Sequence, residues 1–322
     1  MSKHKQAVLI DLESQKDPNV HDGLSWSYRR RESVEDCTRR YFFQYYSRNL
    51  KDAELRGKVE LLKATKNRHL RAGQIVHLVI GTYFKKLKVG RSLSPDWLTQ
   101  WAKNLFLEDR NYSRHIRGGG KPSDQKYPPV ILDEIVNGKE GHNALISQAE
   151  GQIIAAIRNF FGPAFSAVRT LGASRDAYVE HKLSLEGFPV PVRGKVDLAV
   201  RDSTLVRVID WKLGASSDGG AESLQLATYG LWTRSEFGVP DENVRVAKAH
   251  LLTQEVAEFK ADSNALTNAR IRILQDIERM AILHRYGREG AIEAFTPNPQ
   301  KGLCQLCQFL AVCPEGKAIL DA

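Results

Sequence analysis

Asp197, Asp210 and Lys212 are the residues whose types and spacing best support chemistry. They lie in two short runs, RGKVDLAV and LVRVIDWKLG, where β-branched and apolar residues alternate with polar ones, the pattern of strands. Side chains of a strand point alternately to its two faces. Arg193, Lys195 and Asp197 therefore share one face, opposite Val192, Gly194, Val196, Leu198 and Val200. On the second run Asp210 and Lys212 share a face with Val206 and Val208, opposite Leu205, Ile209, Trp211 and Leu213. The short break between the runs predicts a hairpin, and pairing brings Asp197 towards Asp210. Two adjacent carboxylates are costly to keep ionised together unless a cation lies between them. A hard divalent ion with oxygen ligands answers that repulsion, and it can polarise a phosphate oxygen and activate water. Lys212 could steer that water or stabilise charge in the transition state. Asp-x-Lys alone reads more simply as a salt-bridged surface hairpin; the flanking Gly194–Asp197 and Gln225–Tyr229 spacings shift the balance.

The series Gly194-x-x-Asp197, Asp210-x-Lys212, Gln225-x-x-x-Tyr229 resembles the active-site motifs of the PD-(D/E)XK nucleases, in particular the RecB-like branch. The resemblance covers roughly residues 25–50, 70–90 and 175–315. It implies a restriction-endonuclease-like αβββαβ core with a mixed central sheet, and a metal-dependent DNA nuclease. The expected activity is exonucleolytic hydrolysis of phosphodiester bonds at single-stranded DNA ends. It implies Asp197 and Asp210 as metal ligands and Lys212 as the catalytic lysine. Gln225 and Tyr229, one helical turn apart and so on one face, would contact that lysine or the DNA backbone. In the family a Gly-x-x-x-His helix stands beside the metal; Gly73 and His77 match it, which implies His77 as a further ligand. An imidazole ligand suits Mn²⁺ better than Mg²⁺. The rival reading is a non-catalytic DNA-binding scaffold subunit of a helicase or recombination complex.

These residues need elements to hold them. Gly73 to Lys88 reads as an amphipathic helix, with Val76, Val79, Ile80, Tyr83 and Leu87 on its apolar stripe and His77 at the edge. A lone histidine there is more commonly a hydrogen-bonded core residue. Residues 177–186 predict the strand before the catalytic pair, with Val179, His181, Leu183 and Leu185 on one side and Glu180 and Lys182 on the other. Glu180 is either a third acid near the metal or the partner of Lys182. A glycine-rich stretch follows the second strand, then the helix carrying Gln225 and Tyr229, then a strand over Val244–Leu252. A last long helix carries Ile271, Leu274, Ile277 and Met280, all expected in the core. Leu145, Ala149, Ile153, Ala156 and Phe160 line one side of another helix. Residues 108–143, rich in glycine, proline and basic side chains, predict a long loop or insertion, either a plain surface excursion or a lid over single-stranded DNA.

Four cysteines are present, one at Cys37 and three clustered at Cys304, Cys307 and Cys313. Cys37 falls in SWSYRRRESVEDCTRRYFFQYY, which predicts one helix from Ser25 to Tyr46. Its arginines, Arg29, Arg30, Arg31, Arg39 and Arg40, either face solvent or bind phosphates. Three close cysteines in a reducing compartment argue for metal binding, by zinc or by an iron–sulfur cluster. The one-plus-three layout resembles the iron–sulfur version of this nuclease family, seen in AddB-type subunits and CRISPR-associated RecB-like exonucleases. That implies a [4Fe-4S] cluster on Cys37, Cys304, Cys307 and Cys313; Thr38 stands where many relatives have proline. Such a group would tie the two ends of the chain together.

The chain has 322 residues, 42% hydrophobic and 26% charged, enough for a substantial core. Its net charge of +9 suits a polyanionic partner. The expected organisation is a loose arm over 1–24 and one nuclease domain over 25–322, its cluster module formed by 25–50 and 300–322. No apolar run approaches a membrane span, and MSKHKQAVLIDLE is too short in apolar residues for a secretory signal. A cytoplasmic location follows as the expectation, with a helicase, recombination or CRISPR-adaptation protein as possible partner. Gly118-Gly119-Gly120-Lys121 lacks phosphate-loop spacing, so any ATPase must be another chain.

Overall fold

Helices α1 (Tyr28–Asp36) and α2 (Thr38–Tyr46) meet at Cys37, whose extended backbone (φ −167°, ψ 115°) ends one and begins the other. The single helix expected over Ser25–Tyr46 is thus two, and the break falls on the cysteine. The computed structural model describes residues 21–322 except 124, 126–127, 139–140 and 215–219. Most of the arm expected over 1–24, and the centre of the glycine-rich stretch after Lys212, lie outside these residues.

The order continues with α3 (Ala53–Ala64), β1 (Thr65–Lys66), α4 (Arg68–Lys88), α5 (Pro95–Arg117), β2 (Ile131–Leu132), α6 (Asp133–Val136), α7 (His142–Phe161) and α8 (Ser166–Gly172). Then follow β3 (Tyr178–Leu185), β4 (Val192–Asp202), β5 (Leu205–Lys212), α9 (Gly220–Phe237), β6 (Val244–His250), β7 (Glu255–Lys260), α10 (Ser263–Glu289), α11 (Lys301–Gln305) and α12 (Pro314–Asp321). Residues 108–117 continue α5 rather than opening a loop. Ser94 caps that helix by accepting from the Trp97 N–H, and Pro95 sits in its first turn, where a missing N–H costs nothing. Asn67 caps α4 in the same way through the Leu70 N–H.

The sheet is mixed, in the order β3-β4-β5-β6-β7. β4 and β5 form the expected antiparallel pair, from Asp202 opposite Leu205 to Leu198 opposite Ile209. β5 and β6 are parallel, joined by α9, and β6 and β7 antiparallel. The β5–β6 register sets Asp210 opposite Lys248 and Lys212 opposite His250.

Two compact units can be distinguished. One comprises residues 61–183 and 194–269. Its core gathers Val76, Val79 and Ile80 of α4 and Ile153 and Phe160 of α7 with Leu198, Ile209 and Trp211 of the sheet. Each such fully buried side chain contributes about 1.5–3 kcal/mol of transfer free energy.

The other unit comprises residues up to 60, 184–193 and 270–322. Its core is aromatic: Tyr41, Phe42, Phe43, Tyr46, Phe295 and Phe309 are all buried. Arg30 is buried among the tyrosines, donating from Nε to the Tyr41 hydroxyl (3.0 Å) and from a terminal nitrogen to that of Tyr46 (2.8 Å). Arg31 and Arg40 pair with Asp276 and Asp36, and Arg39 donates to the Phe295 carbonyl. Four of the five arginines considered for phosphate binding thus have partners within the unit; Arg29 is exposed. Ile277 and Met280 are buried as expected, but Ile271 is 49% exposed and Ile273 takes its place inside.

Candidate active site

Asp197 and Asp210 follow directly beyond the last β4–β5 ladder pair, and both carboxylates are buried. Asp197 Oδ2 accepts the Trp211 backbone N–H at 2.9 Å, so its side chain reaches across the hairpin beside Asp210. Its Oδ1 lies 2.9 Å from His77 Nδ1, which α4 delivers. Burial opposes protonation of His77, but Asp197, with Asp210 and Glu180 behind it, holds the imidazole pKa above its usual value.

Asp210 is held differently. Lys212 Nζ stands 2.8 Å from its Oδ2 as an ion pair without an aligned hydrogen bond. Lys212 also donates to Gln225 Oε1 (3.1 Å), and Gln225 Nε2 donates to the Tyr229 hydroxyl (2.9 Å). That hydroxyl is 3.2 Å from both Asp210 Oδ1 and the Lys195 carbonyl, and its one proton serves either. Burial, then the charges of Asp210 and Asp197, push its pKa well above the ordinary phenol value, so it stays a donor. Gln225 and Tyr229, one turn apart on α9, thus brace the Asp-x-Lys pair.

Glu180 completes the group. One ligand atom each from His77, Glu180 and Asp197 lies within 4.8 Å of the others, the one such set among the described residues. Asp210 is not in that set. Glu180 pairs with the ammonium of Lys195, not with Lys182, and its Oε1 is buried with no partner. Its backbone is left-handed, φ 51°, a conformation that costs a non-glycine residue free energy and re-aims its side chain. The side chain lies against α4 at Gly81, where a Cβ would come within 2.6 Å of Glu180 Cγ. Gly73, by contrast, has open space around it. Gly81, one turn after His77, is the glycine this site requires, and its spacing to His77 mirrors that of Gly73.

An orphaned buried carboxylate oxygen beside an imidazole and a second carboxylate fits a divalent cation with mixed oxygen and nitrogen ligands. Sequence reasoning missed Lys248 and His250, which the parallel register places beside Asp210 and Lys212. Burial, then the neighbouring Lys212 charge, lowers the Lys248 pKa, with Asp210 acting against them. His250 Nδ1 is 3.0 Å from the Gly214 carbonyl. The available signal was a lysine and a histidine alternating with alanines in the strand expected over Val244–Leu252.

The four cysteines are free thiols, and all line one cavity with Arg39, Arg40 and Phe43. Burial raises the Cys307 thiol pKa to about 11 and also raises that of Cys313. Their sulfurs are spread: no three lie within 4.8 Å of one another.

The family model described as the PD-(D/E)XK nuclease superfamily matches residues 25–314. The chain belongs to that superfamily, whose members are nucleases that use divalent metals, and its mixed sheet is consistent with the superfamily fold. Among solved structures it is similar to SSO0001 (18% identity, TM-score 0.30, covering 57% of this chain and 81% of that one). It is also similar to a protein from Eubacterium rectale described as a "Putative exonuclease" (16% identity, TM-score 0.31, 65% and 81% covered). No curated protein matches. Among the described residues no helix is long and apolar enough to cross a membrane.

Proposed function

We propose that the chain is a divalent-metal-dependent deoxyribonuclease of the RecB-like branch, acting as an exonuclease on single-stranded DNA ends. The observation that carries the nuclease site is the convergence of His77, Glu180 and Asp197 within 4.8 Å, beside an Asp210–Lys212 pair at 2.8 Å. His77, Glu180 and Asp197 would hold the ion, with Asp210 beside them. The imidazole favours Mn²⁺ over Mg²⁺. When bound, the ion supplies Lewis-acid stabilisation of phosphate charge and a more acidic water.

The chain's own residues do the rest. Lys212, fixed by Asp210 and Gln225, presents a positive charge to the reacting phosphate. Gln225 and Tyr229 keep that ammonium and Asp210 in register, so little reorganisation is needed as charge develops. Asp197, tied to the Trp211 backbone, cannot swing away from His77. A DNA-binding scaffold has no need of this constellation. The motif series supports the RecB-like branch, and the net charge of +9 suits DNA.

The one-plus-three cysteine layout is what supports a [4Fe-4S] cluster on Cys37, Cys304, Cys307 and Cys313. Four thiols lining one cavity suit a thiolate-ligated group, of which the iron–sulfur cluster is the one the sequence layout resembles. A cluster of cysteines without disulfides suits the reducing cytoplasm, with a helicase, recombination or CRISPR-adaptation protein as partner. The activity is tested by digesting end-labelled single strands beside a circular single strand, with Mn²⁺ and with EDTA. Shortening of the linear strand alone, abolished by EDTA, is the expected result; cutting of the circle at equal rate overturns the exonuclease assignment. A brown protein with a visible absorption band supports iron, and a colourless one carrying zinc overturns it.

A further inference from the structure

Of Lys195, Lys212 and Lys248, Lys195 is the most exposed. Its side chain is 49% exposed, against 29% for Lys212, and Lys248 is buried. It lies two residues before Asp197 on β4 and so on the same face. The Tyr229 hydroxyl stands 3.2 Å from its carbonyl, fixing the backbone while leaving the long stem free to move. The ammonium pairs with Glu180 Oε2, on the carboxylate that contributes to the three-residue cluster and whose other oxygen has no partner.

Two cations cannot both be the close partner of one carboxylate without repelling each other. A divalent ion held through the free Glu180 oxygen, His77 and Asp197 would therefore weaken the Lys195–Glu180 pair and favour the ammonium turning outward. Lys212 has nowhere comparable to go, since Asp210 and Gln225 occupy it. Lys195 is half exposed and stands on the strand face that carries Asp197. An ammonium released there meets whatever anion approaches that ion, and for a nuclease the anion is a backbone phosphate.

We infer that Lys195 is a phosphate-binding residue of this site, its ammonium resting on Glu180 until a divalent cation takes that carboxylate. The inference builds on the nuclease reading above. Lys195 acts by charge alone; no bond is made or broken through it, and it contributes binding of the strand rather than the chemical step.

Lys195→Met keeps the stem and removes the charge, and Lys195→Arg keeps the charge. Mn²⁺ binding without DNA is measured by calorimetry on the full chain. Lys195→Met should bind Mn²⁺ roughly two- to fivefold more tightly, as expected when a half-exposed competing ion pair is removed. Single-stranded DNA binding is then measured in Ca²⁺ across a salt series. The slope of log affinity against log salt should be shallower by about 0.7 for Lys195→Met, the value for one lost phosphate contact on a single strand. Lys195→Arg should keep the wild-type slope. In the cleavage assay at saturating Mn²⁺, Lys195→Met should raise KM with kcat little changed.

An unchanged Mn²⁺ affinity and an unchanged salt slope in Lys195→Met, beside a wild type that binds Mn²⁺ and cuts DNA, overturn the Lys195 assignment alone. A wild type that neither binds Mn²⁺ nor cuts DNA overturns the nuclease reading and this inference with it. A purely structural Lys195 would lower the melting temperature of Lys195→Met and leave the slope intact, which also counts against the inference.

Discussion

The Tyr229 hydroxyl lies 3.2 Å from Asp210 Oδ1 and accepts from Gln225 Nε2 at 2.9 Å, so one phenol on α9 links the strand acid to the residue that holds Lys212. Tyr229→Phe removes the link without opening a large cavity. Asp210 Oδ1 then loses a buried donor, at a cost of about 1–3 kcal/mol of stability. Cleavage should fall roughly ten- to hundredfold, the usual effect of losing a group that positions a catalytic residue. Steady-state kinetics and a denaturant titration check both figures; wild-type kcat in Tyr229→Phe would show that the brace is dispensable.

Gly81→Ala tests how Glu180 is aimed. Alanine is the better helix former by about 1 kcal/mol, so α4 itself should not suffer. The new methyl would stand 2.6 Å from Glu180 Cγ, and the Glu180 side chain must shift. Mn²⁺ affinity should drop about tenfold while the melting temperature changes little. The double variant Gly81→Ala, Glu180→Ala should bind Mn²⁺ no more weakly than Glu180→Ala alone, because both act through one side chain. Additive losses would place the effect of Gly81 elsewhere.

The hairpin, and with it the meeting of Asp197 and Asp210, was legible because a strand's period of two is local in sequence. Glu180 was legible only as one of two readings, a third acid or the partner of Lys182. It lies in the group with His77 and Asp197, and its positive φ, which breaks the strand's alternation, gives it Lys195 as its partner. Lys248 and His250 were missed because the register of parallel β5 and β6 is set by a crossover through α9, which leaves no local signal. In residues 108–117 the nearby glycines and prolines suggested a loop. The Ser94-Pro95 cap and the buried Leu98, Ala102 and Phe106 show a continuous helix instead. The split at Cys37 was hidden because nothing in the run around it breaks a helix.

The cysteine cavity carries its own prediction. Cys304→Ala should lose visible colour and bound iron. It should also melt at a markedly lower temperature than the wild type. Closing the loop from Cys37 to Cys304 is worth about 5 kcal/mol by the loop-entropy relation used for disulfides. Iron analysis and a thermal melt on the same sample test it. Full iron content in the variant would remove Cys304 from the ligand set.

His284 gives a stability prediction with a definite sign. Its Nε2 lies 2.8 Å from the Asp22 carbonyl and its Nδ1 2.9 Å from the Tyr46 hydroxyl, an arrangement that suits the neutral ring donating from Nε2. Burial, outweighing the Asp22 carbonyl, lowers its pKa in the folded chain. The neutral ring's contribution is complete above the unfolded value of about 6.5 and is lost as pH falls from there towards the folded pKa. The denaturation midpoint should therefore fall from about pH 7.5 to about pH 5.5. The fall should be smaller in His284→Asn, and an identical fall in that variant would assign the effect to other groups.

Digestion of an end-labelled single strand in Mn²⁺ by wild type, Asp197→Ala and Lys212→Ala tests the active site most directly. Rapid shortening by the wild type, with each variant slower by at least about a hundredfold, is the predicted result. Wild-type cutting by Asp197→Ala would contradict the assignment of that carboxylate, and with it the site built around His77, Glu180 and Asp197.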